Sequence, residues 1–229
     1  LRLQQWMDIP WLVHGFTTRR AGDFRMLRSL DAAVATLGTQ GMILRTARQV
    51  HSDKLVVISA NLGPRREVPH PEADGLLTLQ PGRLLGVRTA DCLPVLFVDP
   101  AKRGVAAVHA GWRGTLKSIA RRAVERMAAE FGSEEADIEA AIGPAIGRCC
   151  FKVGLEVANR FEKVFVHGSD PPHVDLIDAT RSQLSEAGIN PAKISVANAC
   201  THCLEQDYFS HRRSREGVGR MLAFVGLRG

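Results

Sequence analysis

The chain has 229 residues, 45% of them hydrophobic and 24% charged, with a formal net charge of +6. That length can bury a sizeable core, while no apolar run reaches the roughly 18 residues that a membrane-spanning helix needs. The positive charge invites a nucleic-acid reading, but the arginines fall in scattered pairs and only 6% of residues are aromatic, so neither nucleic acid nor a membrane is expected as a partner.

In chain order, the opening "LRLQQWMDIPWLVHGF" lacks a basic start followed by an apolar core, and no secretory signal is expected. "LRSLDAAVATLG" reads as a helix stopped by Gly38. His51 then precedes a strand, "KLVVISA", and further strands are expected at 75–79, 83–89, 94–99 and 104–110, each short and bounded by turn residues. The strands at 83–89 and 94–99 stand too close for a helical crossover, which points to a mixed sheet. "TLKSIARRAVERMAAEFG" reads as one helix with Leu116, Ile119, Ala120, Ala123 and Met127 on one face and Gly132 as its stop. A strand at 138–144, helices over "GLEVANRFEKVF" and "ATRSQLSEAGI", a strand at 193–199 and a terminal strand complete the expectation. No internal repeat or linker interrupts it, so residues 1–229 are expected to form a single domain.

Three places set a chemically able residue at a strand end: His51 in "RQVHSDKLVVI", Asp91 and Cys92 in "VRTADCLPVLFVD", and His109 in "AVHAGWRG". Each has a bland reading as well, since a single histidine or cysteine beside apolar sequence is commonly packed core. Two histidines and one cysteine also match a zinc site with three protein ligands and an open fourth position, and spacing alone leaves both readings standing. Asp91, next to Cys92, reads either as a proton-handling or ligand-orienting group or as a turn residue. "CTHC" (Cys200 to Cys203) has no second CxxC to complete a four-cysteine site and reads as a turn that packs; "AIGPAIGRCCFKVG" reads as a close-packed turn. Arg212 and Arg213 are candidate anion binders. Five cysteines, two of them adjacent, argue against a disulfide framework and for a reducing, cytoplasmic setting.

The motifs "HGFTTR", "RQVHSD", "DGLLT", "VRTADCLPVLFVD", "AVHAGWRGT", "AIGPAIGRCCFKV" and "CTHC…YFSHRR", in that order, resemble the YfiH/YlmD-like laccase-domain family, the multicopper polyphenol oxidoreductases. The resemblance implies an α+β fold with a mixed-sheet, sandwich-like core flanked by helices. It implies a zinc site at His51, Cys92 and His109, with copper as the other metal the family name suggests. It also implies purine nucleoside phosphorylase activity on adenosine, inosine and methylthioadenosine, with adenosine deaminase activity, so that the partners are a purine nucleoside and phosphate. Arg28, Arg113 and Arg212 are then the candidates for phosphate, and Asp91 joins the three ligands as a candidate catalytic residue. The segment "TTRRAGDFRMLRSLDAA" is shorter than the family pattern, and Leu27-Arg28 stands where the family has Asn-Arg. Competing readings are a copper-dependent polyphenol oxidase, a cysteine hydrolase with a Cys92/His109 dyad, and a non-catalytic binding protein. No histidine stands two residues from another, as the His-x-His pairs of multicopper centres require.

Overall fold

The computed structural model describes residues 1–25, 37–59 and 70–229. The expected helix over 27–38, apart from its last two residues, lies outside the described residues, and so does Arg28.

Twelve strands are described: β1 (Leu12–Phe16), β2 (Ile43–Thr46), β3 (Leu55–Val57), β4 (Gly75–Thr78), β5 (Arg83–Thr89) and β6 (Leu93–Asp99), then β7 (Gly104–Ala110), β8 (Glu139–Ile142), β9 (Val166–His167), β10 (His173–Val174), β11 (Ile194–Val196) and β12 (Met221–Leu227). They form a four-stranded sheet in the order β1-β12-β5-β2, a six-stranded sheet in the order β11-β8-β6-β7-β4-β3, and the small pair β10-β9. Both large sheets are mixed: β2 and β5 run parallel beside the antiparallel pair β12 and β5, and β3 with β4 and β11 with β8 are parallel in the other sheet. The closely spaced strands β5 and β6 belong to different sheets, so the chain crosses between layers at Ala90–Cys92. Among the described residues, no helix is long and apolar enough to cross a membrane.

Burial on both faces explains the uninterrupted apolar strands. All seven residues of β6, β7 and β12 are buried, and a strand covered on both sides loses the polar alternation of a half-exposed one. Between the sheets lie Leu85, Val87, Ala223 and Val225 from one layer and Leu76, Leu96, Val98 and Ala107 from the other. The opposite face of the six-stranded sheet packs Val95, Phe97, Ala106 and Val108 against Ile119, Ala123, Met127 and Leu184 of the helices. The result is a helix–sheet–sheet α+β architecture, as expected.

Several helices differ from the sequence reading. The long helix is broken in two, Trp112–Leu116 and Ile119–Phe131, by Ser118 at φ +55°. The break lets the first segment leave the His109 turn independently while Ile119, Ala120, Ala123, Val124 and Met127 lie buried on the sheet. Gly132 ends the second segment in the left-handed conformation that glycine adopts without steric cost. The expected helix over 154–165 shrinks to Leu155–Ala158, and Val164 is 68% exposed. Its apolar stripe finds only partial cover, and a short helix without a buried face does not persist. The next helix starts earlier than expected, at Leu176, because Asp175 accepts a hydrogen bond from the Asp178 N–H. Strands β1 and β2, and the two-residue strands β9 and β10, have no counterpart among the expected elements.

His14 in β1 is buried, accepts the Leu3 N–H at Nε2 (2.9 Å) and meets the Trp6 ring edge-on. Burial first, and the Arg2 charge second, push its pKa down to about 4. The folded state therefore resists protonation that the unfolded chain accepts, so stability falls as pH drops from the ordinary histidine value toward 4. Denaturant titrations should show wild type losing about 2 kcal/mol more than His14→Asn between pH ~6.5 and ~5. Equal losses in the two proteins would refute this role for His14.

Candidate metal centre

His51, Cys92 and His109 come together although the chain separates them widely: one ligand atom from each lies within 4.8 Å of the others. The register explains the convergence. Leu55 pairs with Gly75, Gly75 with Val108, and Leu93 with Ala110, so the starts of β3, β4 and β6 and the end of β7 share one edge of the six-stranded sheet. His51 and Cys92 precede β3 and β6, and His109 is the next-to-last residue of β7.

A residue that the sequence reading passed over holds this arrangement. Asp74, just before β4, is fully buried. Its Oδ1 accepts from His109 Nδ1 (2.9 Å) and the His51 N–H (3.0 Å). Its Oδ2 accepts from the Ser52 N–H (2.6 Å), the Ser52 hydroxyl (2.7 Å) and the Val50 N–H (3.3 Å). The bond to Nδ1 turns Nε2 of His109 toward the other two ligands, the usual arrangement for a metal-binding imidazole. The backbone bonds hold His51 at φ +57°, a conformation that costs a non-glycine residue about 1–3 kcal/mol. Only the "ADG" preceding a strand, an acid at a strand entrance, hinted at Asp74.

Asp91 plays a parallel part on the other ligand turn. At φ +91° it directly precedes Cys92, and its carboxylate accepts from the Thr201 hydroxyl (2.7 Å) and the Arg212 N–H (2.6 Å). Its carbonyl accepts from the Ile146 N–H (2.8 Å). Both carboxylate oxygens are therefore occupied in holding the turn.

The three side chains fit a metal by their donor chemistry and by the space around them. One thiol and two imidazoles form a set that suits zinc with an open position. A Cβ on Gly111 would lie 3.1 Å from both Cys92 Sγ and His51 Cδ2, so glycine leaves room for the ligands to meet. The metal-free charges are unusual. Burial alone would raise the Cys92 pKa, but the charge of His109 and hydrogen bonds from both histidines bring it to about 6. Burial would lower His109, but the Cys92 thiolate and Asp74 raise it to about 9. Burial would raise Asp74 too, yet the His109 and Ser52 hydrogen bonds hold it at about 2.

A cavity of about 430 Å³ opens over the three ligands, lined also by Arg25, Arg48, Gln49, Arg88, Ala90, His211 and Arg220. Gln49 is fixed there by paired hydrogen bonds to the backbone of Arg88, each 2.8 Å. None of the four cavity arginines was named from the sequence, and Arg113, Arg212 and Arg213, which were, do not line the cavity. Arg113 stacks on Trp112 at 4.4 Å, Arg212 donates to the Lys152 carbonyl and lies over Phe151, and Arg213 donates to the carbonyls of Thr201, His202 and Tyr208. Arg213 acts as a clamp on its own loop.

Comparison with known proteins gives a consistent picture. A family described as multi-copper polyphenol oxidoreductase laccase matches residues 14–228. A purine nucleoside phosphorylase of Bacteroides thetaiotaomicron is 38% identical over 180 residues, 73% of this chain, and the match spans 65% of that protein's own length, less than two thirds. Adenosine deaminase RL5, from an unknown prokaryotic organism, is 36% identical over 217 residues, 88% of this chain and 82% of that protein. The crystal structure of the Bacillus licheniformis hypothetical protein YfiH superimposes with a TM-score of 0.88 at 30% identity, covering 98% of this chain and 95% of that one.

Two outcomes follow from the hydrogen bonding. Asp74→Asn should weaken zinc binding about 10- to 100-fold in a chelator competition, because the imidazole loses its charged partner; unchanged affinity would remove Asp74 from the centre. A zinc ion held by these three side chains would have to displace the His109 proton, so affinity should rise about tenfold per pH unit between ~6 and ~9 and level off above, measurable in the same competition.

Proposed function

The chain belongs to the multi-copper polyphenol oxidoreductase laccase family, and from that premise we propose that it is a zinc-dependent purine nucleoside phosphorylase that also deaminates adenosine. His51, Cys92 and His109 are the proposed ligands. The observation that carries the reading is their convergence beneath an arginine-lined cavity of about 430 Å³. That volume falls within the roughly 300–1,000 Å³ of small-molecule sites.

When bound there, zinc supplies Lewis acidity and makes a coordinated water far more acidic than bulk water. The protein's own groups do the rest. Asp74 orients His109, Asp91 holds the turn that presents Cys92, and Gly111 keeps the space among the ligands clear. Phosphorolysis requires a phosphate held against C1′ of the ribose while the base departs. Guanidinium groups suit that anion, and the cavity offers Arg25, Arg48, Arg88 and Arg220 in place of Arg113 and Arg212. Arg48, at the cavity's exposed rim, is also paired with Glu72 at 2.9 Å. Deamination requires water at C6 of adenosine and release of ammonia, so the purine would have to face the three ligands.

One observation favours a second reading. Without metal, the pair of Cys92 near 6 and His109 near 9, backed by Asp74, has the character of an activated cysteine nucleophile. Chelation separates the two.

Zinc-loaded protein should release hypoxanthine from inosine only when phosphate is present, with ribose 1-phosphate as co-product. Exhaustive chelation should abolish this and zinc should restore it, while Cys92→Ala should lower kcat/KM at least about 100-fold. A zinc-loaded preparation that frees no base from adenosine, inosine or methylthioadenosine overturns the phosphorylase reading. Activity that survives chelation assigns the chemistry to the cysteine.

A further inference from the structure

The "CTHC" turn lacks a second CxxC, yet it is not a packing turn standing alone. Cys149 and Cys150, adjacent in the chain, bring their sulfurs to those of Cys200 and Cys203, and all four lie within 4.8 Å of one another. Cys149 Sγ is 3.8 Å and Cys150 Sγ 3.3 Å from Cys203 Sγ. Four sulfurs bound tetrahedrally at the Zn–S length of about 2.3 Å stand roughly 3.8 Å apart, so the cluster has the dimensions of a closed four-thiolate shell.

Packing does not account for the whole cluster. Cys150 and Cys200 are half-buried and pack against the core, but Cys149 and Cys203 are exposed, so these two sulfurs are not core filling. The sulfurs stand well beyond the roughly 2.05 Å of a disulfide, and all are free thiols. The backbone is arranged to receive charge on sulfur. The Gly147 N–H donates to Cys200 Sγ at 3.3 Å. Gly147 borders the sulfurs directly, since a Cβ there would touch Cys149 Sγ at 3.4 Å and Cys200 Sγ at 3.7 Å.

We propose that Cys149, Cys150, Cys200 and Cys203 bind a second zinc ion, a closed structural site separate from the His51, Cys92 and His109 centre. The ion would join two turns that otherwise meet through little backbone pairing, the isolated bridge of Ala145 with Cys200. The joined turns bear on the first centre. Thr201, between the cysteines, donates to Asp91, whose neighbour is Cys92, and Ile146 donates to the Asp91 carbonyl. The second site thus fixes the loop that holds one ligand of the first. It has no open coordination position and takes no substrate.

The test counts metal in the full chain, grown with zinc and purified with reductant and without chelator. Wild type should hold two zinc ions per chain, Cys149→Ser/Cys203→Ser one, and His51→Ala/His109→Ala one. The wild type and His51→Ala/His109→Ala loaded with cobalt should both show the intense charge-transfer absorption of a tetrahedral cobalt thiolate. The four cysteines of the native zinc-loaded protein should resist alkylation until the metal is removed. Because the two double variants each remove a different ion, failure of this site and failure of the nucleoside centre are distinguishable. Zinc lost entirely with His51→Ala/His109→Ala, a disulfide among these cysteines in the reduced preparation, or iron with acid-labile sulfide in place of zinc would each overturn the assignment. If the cysteine variant does not fold, rapid alkylation of all four thiols in zinc-loaded wild type overturns it equally.

Discussion

A carboxylate sealed from solvent is tolerable only when its oxygens are fully engaged, and Asp74 meets that condition by gathering the donors that the site needs. Its partners come from the loop before β3 and from the end of β7, two separate parts of one sheet edge. The same charge that stabilises the His109 imidazole against burial pins the strained turn at His51. Remove the charge and both ligands lose their fixed direction. The coupling runs the other way too, since without the N–H groups of the turn Asp74 would be a buried anion with only the His109 imidazole and the Ser52 hydroxyl as partners.

The layered fold makes that edge available. The six-stranded sheet is covered by helices on one side and by the four-stranded sheet on the other, so its strands are apolar throughout and their ends are the first places where polar chemistry can surface. β6 and β7 are central and buried along their whole length, and the ligands they position inherit that rigidity. Asp91 repeats the device on a smaller scale where the chain passes from one sheet to the other. Strain at φ +91° is held by bonds from Thr201, Arg212 and Ile146, which ties the Cys92 turn to the loops carrying the other four cysteines. Two candidate metal clusters among the described residues are thereby linked through one aspartate.

Much of the fold was legible along the chain. β4, β5, β6 and β7 fall where short β-branched runs bounded by turn residues put them, and Gly132 ends its helix as expected. β1 and β2 escaped because "LVHGF" and "ILRT" are short and carry polar residues that only pairing with β12 and β5 justifies. The helix after the double cysteine failed for the opposite reason: a periodic stripe was present, but the fold provided no full surface to cover it. Arg113 and Arg212, two of the three arginines named for phosphate, do not line the cavity, because a side chain's direction depends on what lies beside it, and these two found aromatic rings and a carbonyl.

By itself, the sequence determined the alternating strands and helices, the glycine-rich turns, and the three strand ends bearing His51, Cys92 and His109. These follow from side-chain volume, periodicity and backbone freedom, which are local properties. Only the tertiary structure decided that the three candidate ligands share one edge, that Asp74 holds the two histidines, and that Cys149 and Cys150 meet the CTHC turn. Each of those depends on strand register and layer packing, which bring together residues tens of positions apart and leave no mark in the spacing along the chain.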